Sequence, residues 1–174
     1  MIYGPKFKVL EVNDLVGLRN GHIIAQAPAA ADITKKTYDE YQFIENGLIL
    51  GLGKDGKLAN YDPAKHAVPF LHYTEELITF GVALDRFAVE VPTEVGENAY
   101  PRAIALYIGD TFTTDNVVVG GVNKAECYAK VVNGVLTLEA DETKDTMFRA
   151  VKTTMPAGGV GYEFTYYKNV KVTE

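Results

Sequence analysis

The 174-residue sequence contains no serine, no tryptophan and one cysteine, Cys127. Without serine, a Ser–His–Asp hydrolase arrangement is excluded. A single cysteine excludes an internal disulfide and any zinc site built from several thiolates. Cys127 sits in the alternating stretch Ala125 to Val132, where it reads as a small strand hydrophobe. A dyad of Cys127 with His22 or His66 is the nucleophilic alternative, and no spacing favours it. The lack of tryptophan removes Trp-lined sugar platforms but leaves tyrosine ones. Basic clusters are equally scarce: Lys35-Lys36 is the longest, within a net charge of -6 and a pI near 5.1. A protein that binds the nucleic-acid backbone carries a basic stripe, so direct nucleic-acid binding is not expected. No apolar run approaches the roughly 20 residues of a membrane helix. Met1 to Lys6 lacks a basic region followed by an apolar run, so no signal peptide is expected and the chain is expected to stay in the cytoplasm.

What is present suits one domain, or one domain with a small subdomain or arm. A chain of this length buries a core without metals or disulfides. Sixteen glycines and seven prolines imply many turns, and the pattern between them is strand-like. Residues 1–37 form a distinct piece, either an N-terminal arm or the first strands of the main sheet. Within it, Phe7 to Val12 and Gly21 to Gln26 are candidate strands, and Ala27 to Asp32 is a linker or short helix. Residues 38–174 form the β domain, in which 120–174 is rich enough in hairpins to be a subdomain.

Phe43 to Leu52 is apolar around Gly47, and Lys54-Asp55-Gly56-Lys57 is a tight-turn signal. Asp62-Pro63 stops the next strand, because proline donates no ladder hydrogen bond. Phe70 to Phe80 is ambiguous, since Glu75-Glu76-Leu77 suits a helical turn. Phe87 to Val91, Ala103 to Ile108 and Thr111 to Val119 are further strands. The clearest hairpin is Ala125 to Val132, Asn133-Gly134, then Val135 to Glu139. Met147 to Lys152 and Tyr162 to Tyr167 flank a turn at Pro156 to Gly159, with Tyr162, Phe164 and Tyr166 on one face. The expected fold is mainly β: an antiparallel sandwich or barrel-like domain with short helical turns.

No constellation points to catalysis. Gly51-Leu52-Gly53-Lys54-Asp55-Gly56 matches the dinucleotide pattern G-x-G-x-x-G, which works only between a strand and a helix. Lys57 to Pro63 follows it and is no helix, so these glycines are turn residues. His22, His66 and His72 lack the spacing of a helical zinc motif. Asp110, Asp115, Asp141 and Glu142 are candidate calcium ligands in loops, without the regular spacing of an EF-hand. We therefore expect no catalytic residue, no cofactor and no metal. Eleven tyrosines do suit protein contacts, since tyrosine combines large area with a polar tip. Tyr166 and Tyr167 must point to opposite faces, so one of them is a candidate contact.

Three stretches carry a likeness. Asn46 to Gly51, then Asp55-Gly56-Lys57 and Tyr61-Asp62-Pro63, resembles the head decoration proteins of tailed bacteriophages, of the lambda-like kind. Ala103 to Asn116 and the Val132 to Leu138 hairpin look like phage virion structural proteins. The resemblance covers about a third of the chain. It implies a non-enzymatic protein on the capsid surface, assembled in the host cytoplasm, binding the major capsid protein and copies of itself as a trimer. It also implies capsid contacts at Tyr61, Asp62 and Pro63, to which Tyr166 and Tyr167 add tyrosine surface. Phe7 and Val9, on Met1 to Val12, are expected to reach a capsid protein by strand addition. A tail or other virion β protein and a carbohydrate-binding β module are the alternatives.

Overall fold

The computed structural model describes residues 10–14, 24–38, 41–74, 77–80, 83–93, 97–155 and 158–170. Strands follow one another as β1 (Leu10–Asp14), β2 (Ile24–Gln26), β3 (Lys36–Tyr38), β4 (Tyr41–Glu45), β5 (Ile49–Leu52), β6 (Leu58–Asn60), β7 (Phe70–His72) and β8 (Leu77–Phe80). They continue with β9 (Ala83–Val91), β10 (Arg102–Ala105), β11 (Thr111–Thr114), β12 (Val117–Val118), β13 (Glu126–Val132), β14 (Val135–Glu139), β15 (Phe148–Thr154) and β16 (Val160–Tyr166). Among the described residues there is no helix, and the mainly β sandwich expected from turn chemistry is what forms. Of the two stretches left open to helix, the first takes its linker alternative and the second continues as strand. Ala27 to Asp32 is irregular chain bridged to Leu58 through Ala29, and Leu77 begins strand β8. Glu75 and Glu76 lie outside the described residues.

The strands form a seven-stranded sheet (β1-β11-β16-β15-β13-β14-β12), a five-stranded sheet (β2-β10-β7-β5-β6) and a four-stranded sheet (β3-β4-β9-β8). All pairs of strands in them are antiparallel except β12 with β14. Leu10–Asp14 is therefore an edge strand of the large sheet, and Ile24–Gln26 an edge strand of the five-stranded one.

The five-stranded sheet lies between two cores. Ile49, Leu71 and Ile104 project from it into a core with Phe112, Phe148 and Phe164 of the large sheet. Their chain neighbours Leu50, Phe70 and Ala103 enter a second core with Ile44 of β4 and Val89 of β9. A strand buried on both faces has no polar alternation to show. That accounts for the unbroken apolar runs at Ile49-Leu50 and Phe70-Leu71. The large sheet is solvated on one face instead, and β14 and β16 alternate accordingly. Phe112 packs on Phe164 with ring centroids 5.7 Å apart, and Phe148 meets both rings edge-on.

The sheets are joined by the β13–β14 turn. Asn133 (φ 49°) and Gly134 (φ 77°) both take the left-handed backbone that a two-residue hairpin turn requires. The Ile49 N–H donates to the Gly134 carbonyl at 2.7 Å, and the Thr34 hydroxyl to the Asn133 carbonyl at 2.6 Å. Asn60 holds the other side, accepting from the Thr34 N–H at 3.0 Å and donating to the Asp32 carbonyl at 3.0 Å. A Cβ on Gly134 would stand 2.6 Å from Asn60 Oδ1 and 3.3 Å from the Ile49 carbonyl.

Gly56 provides a matched control, with φ 76° and no atom near the position a Cβ would take. Gly56→Ala is expected to cost about 1 kcal/mol, the strain of a left-handed alanine. Gly134→Ala is expected to cost about 2–3 kcal/mol, because the turn must also withdraw from β5. Urea unfolding of the two variants measures the difference, and equal losses would contradict the close docking.

Candidate interaction surface

Tyr61, Asp62 and Pro63 begin the loop that leaves β6. The Tyr61 N–H donates to the Ile49 carbonyl at 3.0 Å, which turns its ring into the core of the large sheet. Asp62 organises the loop, accepting from the Ala64 N–H at 2.9 Å and pairing with Lys65 at 3.1 Å. Those two contacts hold its carboxyl below the usual carboxylate range. The Asp62 N–H donates to His66 Nδ1 at 2.9 Å, so the ring proton of this buried imidazole resides on Nε2. Its ring lies against Gly51, where any Cβ would overlap it. Gly51 thus makes room for a histidine, and the G-x-G-x-x-G stretch joins strand β5 to strand β6 with no helix to receive a phosphate.

Tyr166 reaches the same region from β16. Burial, followed by the neighbouring Tyr61, pushes its phenol up to about 12. Burial and then Asp62 raise the Tyr61 phenol as well, and its enclosed hydroxyl has no hydrogen-bond partner among the described residues. Both rings are buried, whereas Asp62 and Pro63 are half-buried. Tyr61 and Tyr166 therefore support a surface more than they form one. Beside Tyr166 opens a groove of about 430 Å³ between the Ala67–Pro69 segment and the turn after Leu106. Three exposed apolar side chains border it: Ile108 at 61%, Tyr107 at 40% and Val68 at 39%. Neither Ile108 nor Val68 stood out in the sequence, although an apolar pair in the turn Tyr107-Ile108-Gly109-Asp110 departs from the polar rule for turns.

Tyr167 faces the other way and is half-buried. Its hydroxyl donates to Glu142 at 3.0 Å and lies 3.1 Å from the Thr146 hydroxyl. The Arg149 guanidinium lies 5.3 Å from its ring centre, and Tyr128 meets the ring edge-on at 6.1 Å. Hydrogen bonds from Tyr167 and Lys168 hold the Glu142 carboxyl below its ordinary value. A second groove, of about 470 Å³, runs alongside over Lys124, Glu126, Tyr128, Asp141 and Arg149. It carries two cations and two anions, with Lys124 bonded to Asp141 at 2.8 Å.

Phe7 and Val9 lie outside the described residues. So does His22, one of the two dyad candidates for Cys127. Cys127 is buried, and that burial pushes its thiol up and disfavours the thiolate, against a smaller opposing effect of Lys124. Asp110 is buried and bonded within its own turn, and Asp141 pairs with Lys124. Among the described residues, no three His, Cys, Asp or Glu side chains gather into a group that could hold a metal. Compared with protein-family models, curated proteins and solved structures, the chain matches none.

His72 is fully buried at the end of β7. Its Nδ1 donates to the Glu45 carbonyl at 2.7 Å, and its Nε2 has no partner among the described residues. Burial drives its pKa down to about 4, against a smaller upward effect of the Glu45 bond. The imidazole therefore stays neutral in the fold while an unfolded chain takes up a proton below about 6.5. Its contribution is fully present above pH 6.5 and is lost as pH falls toward 4, for a maximum of about 3 kcal/mol. Unfolding curves between pH 7 and 4 check this. His72→Asn, which keeps a donor for the Glu45 carbonyl, is expected to flatten the decline; an unchanged slope would contradict the assignment.

Proposed function

We propose that this chain is a structural protein of a bacteriophage virion, a capsid decoration or head-stabilising protein bound to the outer surface of the major capsid lattice. One observation carries the reading: the three stretches that resemble virion proteins interlock. Ile49 from the first bonds to Gly134 from the third at 2.7 Å. The Asn116 amide, from the second, donates to the Asn46 carbonyl of the first at 2.8 Å. Asn46 in turn brackets Thr74, accepting its N–H at 2.9 Å and donating to its carbonyl at 3.1 Å. Likeness confined to scattered turns would be weak support. Likeness gathered in one packed unit, joined by one backbone bond and one side-chain amide bond, is stronger.

Such a protein acts by binding, as a structural component and not as an enzyme. Its partners are the major capsid protein and neighbouring copies of itself on the shell. Each copy binds modestly, and repetition over the lattice makes the assembly durable. Tyr167, clamped between Glu142 and Arg149, suits a fixed contact, because a side chain ordered beforehand loses little freedom on binding.

The test is cosedimentation of the purified chain with shells of the encoding phage assembled without it. Saturable binding at a fixed number of copies per shell, with raised shell melting temperature, is the expected result. A chain that ignores shells and instead binds neutral oligosaccharides through the Tyr128–Arg149 groove belongs to the carbohydrate-binding class. Self-assembly into rings or tubes in free solution would point to a tail component.

A further inference from the structure

We propose that Asn133 is a self-modification site, where the Gly134 nitrogen displaces the side-chain amide and the folded chain slowly acquires an aspartyl or isoaspartyl residue. The inference goes beyond the virion reading and does not depend on it.

The chemistry is intramolecular and needs only water. The Gly134 main-chain nitrogen gives up its proton and attacks the carbonyl carbon of the Asn133 side chain. A new C–N bond closes a five-membered succinimide, and the side-chain nitrogen takes up a proton and leaves as ammonia. Water then opens the ring at either of its two carbonyls. Breaking the bond to the side-chain carbon leaves aspartate in an ordinary chain. Breaking the bond to the main-chain carbon leaves isoaspartate, whose backbone runs through the side chain and is one carbon longer. Glycine leaves its nitrogen unshielded, so any Asn-Gly pair can react when unfolded, and the fold decides which one does.

Two such pairs lie among the described residues, and the fold treats them oppositely. The peptide group is planar, so the asparagine carbonyl and the glycine N–H must swing together before the ring can close. At Asn46-Gly47 that plane is pinned at both ends. The Asn46 carbonyl accepts from the Asn116 amide at 2.8 Å, and the Gly47 N–H donates to the His72 carbonyl at 3.0 Å. Thr74 holds the Asn46 side chain by two further bonds, and Asn46 is buried. At Asn133-Gly134 the side chain is exposed, and neither it nor the Gly134 N–H has a hydrogen bond among the described residues. One latch remains: the half-buried Thr34 donates its hydroxyl to the Asn133 carbonyl at 2.6 Å. The Ile49–Gly134 bond belongs to the next peptide plane and survives the swing, so the reaction does not require the sheets to part.

The products differ in what they do to the turn. Aspartate is tolerated, because Asp-Gly suits the same left-handed hairpin turn as Asn-Gly. Isoaspartate lengthens a two-residue turn that is docked on β5, and so loosens the join between the sheets. Either product adds one negative charge.

The experiment incubates full-length wild type and Thr34→Val in mildly alkaline buffer, folded and in urea, and follows amide loss by tryptic mass mapping. Asn46 and Asn133 fall on separate peptides, residues 37–54 and 131–144. In the fold, Asn133 is expected to react roughly tenfold or more faster than Asn46, because only its opening is local. In urea the two rates should converge. Thr34→Val, checked for folding by circular dichroism, should raise the Asn133 rate about fivefold, as expected for loss of one hydrogen bond, and leave Asn46 unchanged. A folded wild type in which Asn133 stays intact, or reacts no faster than Asn46, overturns the site without recourse to any variant. An Asn133 rate unmoved by Thr34→Val in a folded protein overturns the latch.

Discussion

The contact between the Asn133–Gly134 turn and strand β5 is the constraint on which the layered structure depends. Two sheets could slide over an apolar interface with little directional preference, because hydrophobic burial is non-directional. A backbone bond from Ile49 to Gly134 and a bond from the Thr34 hydroxyl to the Asn133 carbonyl fix that register at one point. Asn60 closes the same junction by bonding the segment that crosses it at Asp32 and Thr34. One hairpin tip, two strands and a loop meet within a single set of hydrogen bonds. The backbone can approach this closely only because residue 134 has no side chain.

From that junction the remaining features follow in order. Fixing β5 fixes the five-stranded sheet, whose two faces feed separate cores. The chain leaving β6 is then directed by the Tyr61–Ile49 bond, and Asp62 with His66 folds it back toward Pro69. Tyr166 meets Tyr61 there, and the turn at Tyr107 to Asp110 is fastened to its backbone. The exposed groove is thus the outer end of a rigid path that begins in the core.

The sequence was most legible where a local rule decides the conformation. Asn133-Gly134 announced a hairpin, Asp55-Gly56 a turn, and the spacing of Tyr162, Phe164 and Tyr166 a common face; each forms as the rule requires. The twofold burial of the middle sheet was hidden, because a short apolar run is the same whether one layer or two cover it. His72 gave no sign of its burial, since its environment comes from β4, a distant part of the chain. Tyr61 and Tyr166 were noticed for their tyrosine chemistry, yet tertiary packing turned both inward. Ile108 escaped notice for the converse reason: an apolar residue at the end of a strand-like run looks like core until the turn at Gly109 places it outside.

The hairpin tip is the structural keystone, and the surface groove depends on it. Native-state hydrogen exchange tests that claim directly, because it resolves the opening free energy of each amide. The Ile49 amide, bonded to Gly134, is predicted to open with the same free energy and the same denaturant sensitivity as the Ala150 and Phe164 amides of strands β15 and β16. The sheets would then unfold as one unit. An Ile49 amide that exchanges several kcal/mol more easily, while β15 and β16 stay protected, would show that the sheets separate before the fold is lost and would contradict the account.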